Sequence, residues 1–133
     1  MESQVQEYFR KPLPPFSRGD GDCVAWVAEY VNHLLGERVF EPQASSEREA
    51  LLRLRKRSMK NRFEEVFDGS RLFVRVNHPM EGAICVFQSS EVFFGQGVGV
   101  FFRGWVITRG ESDHLVKIQN PNILASWEAS EIF

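Results

Sequence analysis

The sequence contains few cysteines, few histidines and no long apolar run. Its 2 cysteines can form at most one bridge, so free thiols are expected rather than a disulfide-stapled scaffold. The apolar stretches are far shorter than the roughly 20 residues that a membrane-spanning helix needs, which excludes such a span. A net charge of -2 over 133 residues argues against a surface devoted mainly to nucleic acid.

Aromatic side chains, in contrast, are abundant. The chain has 12 Phe, 3 Trp and 2 Tyr, far more than a disordered protein carries. A chain of 133 residues has the size of one domain. We therefore predict a single domain over residues 1–133, with an extended Pro- and Gly-rich lead-in at 1–22, a core at 23–127 and a tail at 128–133.

Helical periodicity is confined to the first half of the chain. Apolar residues recur at helical spacing from Cys23 to Leu35, and Gly36 supplies a C-terminal stop. A second helix is predicted from about Glu47 to Arg57, with a narrow apolar stripe and a dense basic face. A short helical segment is also predicted at residues 63–67.

The second half of the chain consists of short β-rich runs separated by Gly, Asn, Asp and Pro. The short links between them predict an antiparallel meander, and Gly104 is expected in a hairpin or bulge. Helices followed by such strands make an α+β domain with a small antiparallel sheet. The predicted strands are 72–76, 83–87, 98–102, 105–108, 115–118 and 123–127.

Cys23 is the position with the most chemical potential. It is predicted in the first turn of a helix, where free backbone amides and the helix dipole stabilise a thiolate. A nucleophilic cysteine also needs a histidine that exchanges its proton and a group that orients the histidine. The alternative is that Cys23 is a small buried hydrophobe, as most free cysteines are.

Three motifs resemble those of the papain-like, NlpC-type cell-wall endopeptidases. The first is GDCVAWV at residues 21–27, with Gly36 after it, and in that family this cysteine begins the central helix. The second is EGAICVF at 81–87, which resembles the family's first core strand. The third is VGVFFRG at 98–104, which resembles its second strand. The resemblance implies a papain-like core in which a central N-terminal helix packs on an antiparallel sheet.

The same resemblance implies an endopeptidase that has lost its base. In active members the base is the histidine directly before the second-strand motif, and Gly97 stands at that position here. The third polar group of the site follows about one strand later, near Thr108. Neither residue can exchange a proton as imidazole does, so the core is expected to be degenerate.

Other histidines are candidates to replace the missing base. His78 stands in a turn before the first motif strand, and His114 stands in a predicted hairpin turn. Either would reach Cys23 only through a topology unlike the family's. His33 lies about 15 Å along the helix from Cys23 and is expected to be solvated. The spacing of these residues does not match a metal site, so neither a metal nor a cofactor is predicted.

The chain is even more similar to a set of small phage-encoded proteins. They share an Asp-Cys helix start, a charged helical middle, two short Val-rich strands and a C-terminal Ala-Trp, which appears here as Ala125-Ser126-Trp127. Such genes typically lie among siphophage tail genes. The resemblance implies a virion protein of the tail tip, present in the host cytoplasm during assembly, with hub, distal tail or central fibre proteins as partners.

Two groups of side chains are candidates for binding those partners. The aromatic residues cannot all point inward, because neighbours on a strand face opposite sides of the sheet. Basic residues on the second predicted helix could meet an acidic protein surface. The candidate residues are Arg53, Arg55, Lys56, Arg57, Phe93, Phe94, Phe101 and Trp105.

The sequence thus favours an inactive, structural relative of the endopeptidases, and two alternatives stay open. The first is an active cysteine endopeptidase that degrades peptidoglycan during DNA entry, with Cys23 as nucleophile and a relocated His78 or His114 as base. The second is a regulatory protein that binds nucleic acid through the basic residues of 48–62.

Overall fold

The computed structural model describes residues 4–13, 23–36, 59–88, 95–110, 114–119 and 121–130. Helices come first in this part of the chain and strands follow, which confirms the α+β class. The helices are α1 (Gln4–Phe9), α2 (Cys23–Leu35) and α3 (Met59–Asp68). The strands are β1 (Phe73–Val76), β2 (Ile84–Gln88), β3 (Gln96–Phe102), β4 (Trp105–Arg109), β5 (Leu115–Ile118) and β6 (Asn122–Ala129).

The strands form one antiparallel sheet in the order β1-β6-β2-β3-β4-β5. Strands β2 to β5 follow one another as the predicted meander does. β6 then returns across the sheet and lies between β1 and β2, so the meander prediction is wrong for the sheet as a whole. The register between β2 and β6 shifts at Val86/Phe87, where Leu124 is the extra residue of a β-bulge.

The hairpin between β3 and β4 shows why Gly104 is needed. Phe102 pairs directly with Trp105, so only Arg103 and Gly104 form the turn. Both have positive φ, 54° at Arg103 and 84° at Gly104. Positive φ at both central residues is the type I′ geometry that fits the twist of a hairpin, and glycine adopts it without strain.

The sheet separates two groups of buried apolar side chains, because neighbouring residues of a strand point to opposite faces. The larger group joins the three helices to one side, the helix face, and its strand members include Ile84, Val86, Val98, Val100 and Trp127. The smaller group marks the other side, the second face, and consists of Ala83, Cys85, Phe87 and Val106, all 0% exposed. Both faces are therefore packed, which accounts for the nearly continuous apolar runs of the central strands.

Helix α2 has the predicted bounds and packs against β3 and β4. Its buried stripe consists of Cys23, Trp26, Val27, Tyr30 and Val31, at the spacing of three and four residues that puts side chains on one helix face. The Tyr30 hydroxyl, at the centre of this contact, donates a 2.7 Å hydrogen bond to the carbonyl oxygen of Gly82. This bond satisfies the polar atom that the tyrosine brings into the core.

The prolines predicted an extended lead-in, but the structure shows a helix within it. Residues 4–9 form α1, and its Val5 and Tyr8 are buried in the helix-face core. The Tyr8 hydroxyl donates a hydrogen bond to the Trp26 carbonyl of α2. Sequence reasoning missed α1 because a helix of 6 residues is too short for its apolar period to be read.

Helix α3 extends the predicted segment 63–67 in both directions and is fixed to the sheet by polar contacts. The buried Trp127 of β6 donates from its indole nitrogen to Asp68 Oδ1 at 2.8 Å. Arg75 of β1 donates to Asp68 at 3.1 Å and to Glu64 at 2.6 Å. One helix therefore contacts both β1 and β6, and the Arg75 hydrogen bond holds the pKa of Glu64 below its usual value.

The predicted helix at 47–57 and the last residues of the tail, 131–133, lie outside the described residues. Within the described ranges, no helix is long and apolar enough to cross a membrane.

Gly99 provides a test of the close approach between β3 and β4. A Cβ atom at this position would lie 2.5 Å from the Ile107 carbonyl oxygen and 2.7 Å from a Val106 methyl. We expect Gly99→Ala to lower the free energy of unfolding by about 2 kcal/mol or more, because backbone atoms cannot move aside cheaply. Urea denaturation of the purified chain measures this loss.

The matched control is Gly69→Ala, where the nearest atom to a new Cβ is the Glu65 carbonyl oxygen at 3.4 Å. This change is expected to stay within about 0.5 kcal/mol of the wild type. Equal losses in the two variants would contradict the close packing of β3 on β4.

Candidate functional site

Cys23 is the first residue of α2, where the sequence places it. It is also the first member of the buried α2 stripe and is only 8% exposed. The apolar group to which it belongs includes Val98 and Val100 of β3. The surroundings of Cys23 are therefore those of a packed core, which is the second of the two roles considered for it.

The position that matches the family's histidine lies on the other side of the sheet. Gly97 pairs directly with Phe87, and Phe87 belongs to the second face. Paired residues share a face, and Val98 beside Gly97 belongs to the helix face. A side chain at position 97 would therefore project away from α2 and Cys23.

Thr108, near the expected third polar group, is also on the second face. A Cβ at Gly99 would lie 3.1 Å from Thr108 Cβ and close to Val106 of the second-face cluster. Thr108 is only 2% exposed, and its hydroxyl donates a 2.7 Å hydrogen bond to the Val98 carbonyl oxygen. Its role is thus to tie β4 to β3, not to orient an imidazole near Cys23.

His33 is half-buried and not solvated as predicted. Its Nε2 lies 3.1 Å from the Gln4 carbonyl oxygen and 3.9 Å from the Glu7 carboxylate. Its ring centroid is 5.5 Å from that of Tyr8. Through these contacts His33 helps to hold α1 against α2. This helix–helix contact was not predicted, because α1 itself was not.

The two candidate bases lie toward opposite edges of the sheet. His78 is exposed in the turn that follows the edge strand β1. His114 is exposed immediately before β5, the other edge strand. Cys23, by contrast, is a buried residue of α2, the helix that packs on β3 and β4. In the part of the chain that the structure describes, no cluster of three or more His, Cys, Asp or Glu could hold a metal ion.

The second cysteine, Cys85, is buried on the second face at 0% exposure. Burial raises the pKa of its thiol to about 12, because an apolar environment disfavours the thiolate. Cys23 and Cys85 lie on opposite sides of the sheet, and no disulfide joins them. This agrees with the expectation that the chain is not a disulfide-stapled scaffold.

Two of the predicted binding residues lie within the described part. Phe101 is half-buried against the second-face cluster, whereas Trp105 is half-buried at the helix face. Phe101 and its neighbour Phe102 thus face opposite sides, as the period of a strand requires. The other predicted binding residues lie outside the described residues: Arg53, Arg55, Lys56, Arg57, Phe93 and Phe94.

Sequence reasoning did not find that cations lie beside these aromatic rings. The Lys117 ammonium is 6.0 Å from the centroid of the Trp105 ring, and the Arg103 guanidinium is 5.1 Å from that of Phe102. No feature of the sequence indicated these contacts in advance, because Lys117 and Trp105 approach each other only through the pairing of β4 with β5.

A family model described as a domain of unknown function, DUF6950, matches residues 1–129. The match covers α1, α2, α3 and all six strands. No curated protein and no solved structure gives a significant match to the chain.

Alkylation tests the burial of the two thiols. In the native protein near neutral pH, we expect iodoacetamide to modify both cysteines slowly, because Cys23 is 8% exposed and Cys85 is 0% exposed. Both should react quickly in denaturant, as intact-mass spectrometry would show. The variants Cys23→Ala and Cys85→Ala assign each rate. Rapid alkylation of Cys23 in native Cys85→Ala protein would contradict the packed environment.

The raised pKa of Cys85 predicts a loss of stability at alkaline pH. The unfolded thiol ionises near its ordinary pKa of 9.0, while the folded thiol keeps its proton until about 12. The contribution of the buried Cys85 thiol to the free energy of unfolding is therefore complete below pH 9.0. It is lost as the pH rises from 9.0 to about 12. In Cys85→Ala the free energy of unfolding should decline less steeply with pH than in the wild type, by up to about 1.4 kcal/mol per pH unit. Parallel declines in urea denaturation would show that Cys85 is not the group responsible.

Proposed function

We propose that this chain, which belongs to the DUF6950 family, is a structural protein of a siphophage tail tip that binds neighbouring tail proteins and performs no chemistry. The tail context comes from the resemblance of the sequence to small phage-encoded proteins. The absence of chemistry is argued from one observation, the burial of Cys23 at the start of α2 within an apolar core.

The fold that we propose for the protein is a degenerate papain-like core. The cysteine motif begins α2, the second motif covers most of β2, and the third covers most of β3 and the turn after it. α2 packs on β3, and β2 and β3 are neighbours in the sheet. This arrangement supports the proposal because a central helix on an antiparallel sheet is what the resemblance implies.

A working nucleophile would need an accessible thiolate beside a base. The side chain of Cys23 instead completes the α2 stripe, and at 8% exposure it offers little of its sulfur to a substrate. Position 97 lies on the second face, so even a histidine introduced there would project away from the thiol. The loss of activity would then lie in the geometry of the sheet as well as in a single replaced residue.

Purified virions and the Cys23→Ala variant test this proposal together. We expect the protein to co-purify with particles, and particles that carry Cys23→Ala to infect as efficiently as the wild type. The purified wild-type chain should release no soluble fragments from peptidoglycan. The matched control is Cys85→Ala, which removes the other buried thiol from the opposite face.

Absence of the protein from purified particles would overturn the tail role. A Cys23→Ala variant that folds but blocks infection, with fragment release by the wild-type chain alone, would establish the endopeptidase instead. Tight binding of duplex DNA that weakens steeply with salt would favour the nucleic-acid alternative.

A further inference from the structure

One end of the helix face carries three half-buried aromatic rings: Phe9 of α1, Phe102 of β3 and Trp105 of β4. The rings of Phe9 and Phe102 meet edge to face, with centroids 5.3 Å apart. Phe102 lies directly opposite Trp105 across the β3–β4 hairpin, so their side chains share the helix face. We call these rings, with the cations described next, the aromatic–basic row.

Exposed cations lie along the row. The Arg103 guanidinium is 5.1 Å from the centroid of the Phe102 ring, and the Lys117 ammonium is 6.0 Å from that of Trp105. Lys11, two residues after Phe9, lies 6.0 Å from the Tyr8 ring centroid. All three cations are exposed, although they come from separate segments of the chain. Each therefore places its charged group at the surface beside an aromatic ring.

Two acidic groups among the described residues lie near these cations. Burial and then the negative charge of Glu29 raise the pKa of Tyr8, the ring beside Lys11. The Glu81 carboxylate accepts a hydrogen bond from the backbone N–H of Arg103, while the Arg103 guanidinium is turned toward the Phe102 ring. The three cations outnumber these two carboxylates, on a chain whose net charge is -2.

We infer that the aromatic–basic row docks an acidic segment of a neighbouring protein. Tryptophan and arginine are among the residue types that most often dominate binding energy, and the row combines Trp105 with Arg103. Positive charge at the row of a slightly acidic chain favours an acidic partner there. Aromatic rings that stay half-exposed at the row offer the apolar contact that such a partner needs.

Nucleic acid fits the row less well. A nucleic-acid-binding domain is generally basic overall, whereas this chain has a pI of about 5.9. Three cations make a small footprint for a polyanion. The inference rests on the proposed function only for the identity of the partner, a tail protein, because the row itself is argued from contacts within the chain.

The binding experiment uses a short fluorescein-labelled peptide of alternating glutamate and serine with interspersed leucines. We expect saturable binding to the wild-type chain and a roughly tenfold weaker affinity for Lys117→Glu, with a loss of similar size for Lys11→Glu. The matched control is Arg71→Glu, since Arg71 is exposed near the opposite edge of the sheet, before β1. Its affinity should stay within about twofold of the wild type. Thermal melts establish that each variant is folded.

Several outcomes would overturn the inference. They are failure of the wild-type chain to bind the peptide, equal losses in Lys117→Glu and Arg71→Glu, or stronger binding of a single-stranded oligothymidine that also depends on Lys117. A peptide in which lysine replaces glutamate should not bind, and its binding would show that charge does not select the partner.

Particles separate this inference from the proposed function. We expect Lys117→Glu to reduce incorporation into virions about tenfold while Arg71→Glu leaves it unchanged. Normal incorporation of Lys117→Glu would refute the row and leave the tail role intact. Peptide binding that requires Lys117, in a protein that particles lack, would support the row and refute the tail role.

Discussion

The packing of the α2 stripe against β3 and β4 is the contact on which the rest of the structure depends. It buries side chains on successive turns of the helix: Cys23, then Trp26 and Val27, then Tyr30 and Val31. Because side chains alternate across a strand, the same contact decides which residues of β3 face the helix. Val98 and Val100 do, and Gly97 and Gly99 do not. The opposite face is closed separately by its own apolar group.

Packing in the core and chemical reactivity make opposite demands on Cys23. A thiol that fills a position in the core stabilises the helix through the area that it removes from water, but a nucleophile must be open to its substrate. The second cysteine shows the same outcome on the other face, where burial raises the pKa of Cys85 to about 12. Both thiols are then part of the packing. The contact with other molecules that is proposed for this protein lies at its surface.

The periphery is where segments distant in sequence meet. α1 lies against α2 through Tyr8 and His33, and its Phe9 reaches the β3–β4 hairpin. The type I′ turn at Arg103 and Gly104 brings Phe102 opposite Trp105. It also holds the Arg103 guanidinium beside the Phe102 ring. A surface that combines rigid aromatic rings with exposed cations binds through shape and charge and needs no reacting atom. Such a surface is compatible with the structural role proposed for the protein.

Local physical chemistry made much of the fold predictable from the sequence. The 3.6-residue period fixed α2 at Cys23–Leu35, and the alternating apolar runs between turn residues located all six strands. The place of β6 between β1 and β2 was not predictable, nor was α1, because both depend on contacts between segments far apart in the chain. The site followed the same division. The sequence alone determined that a cysteine begins the helix and that glycine stands at position 97. Only the tertiary structure decided that the two lie on opposite faces of the sheet, because a strand's faces are assigned by what packs on them and not by its own residues.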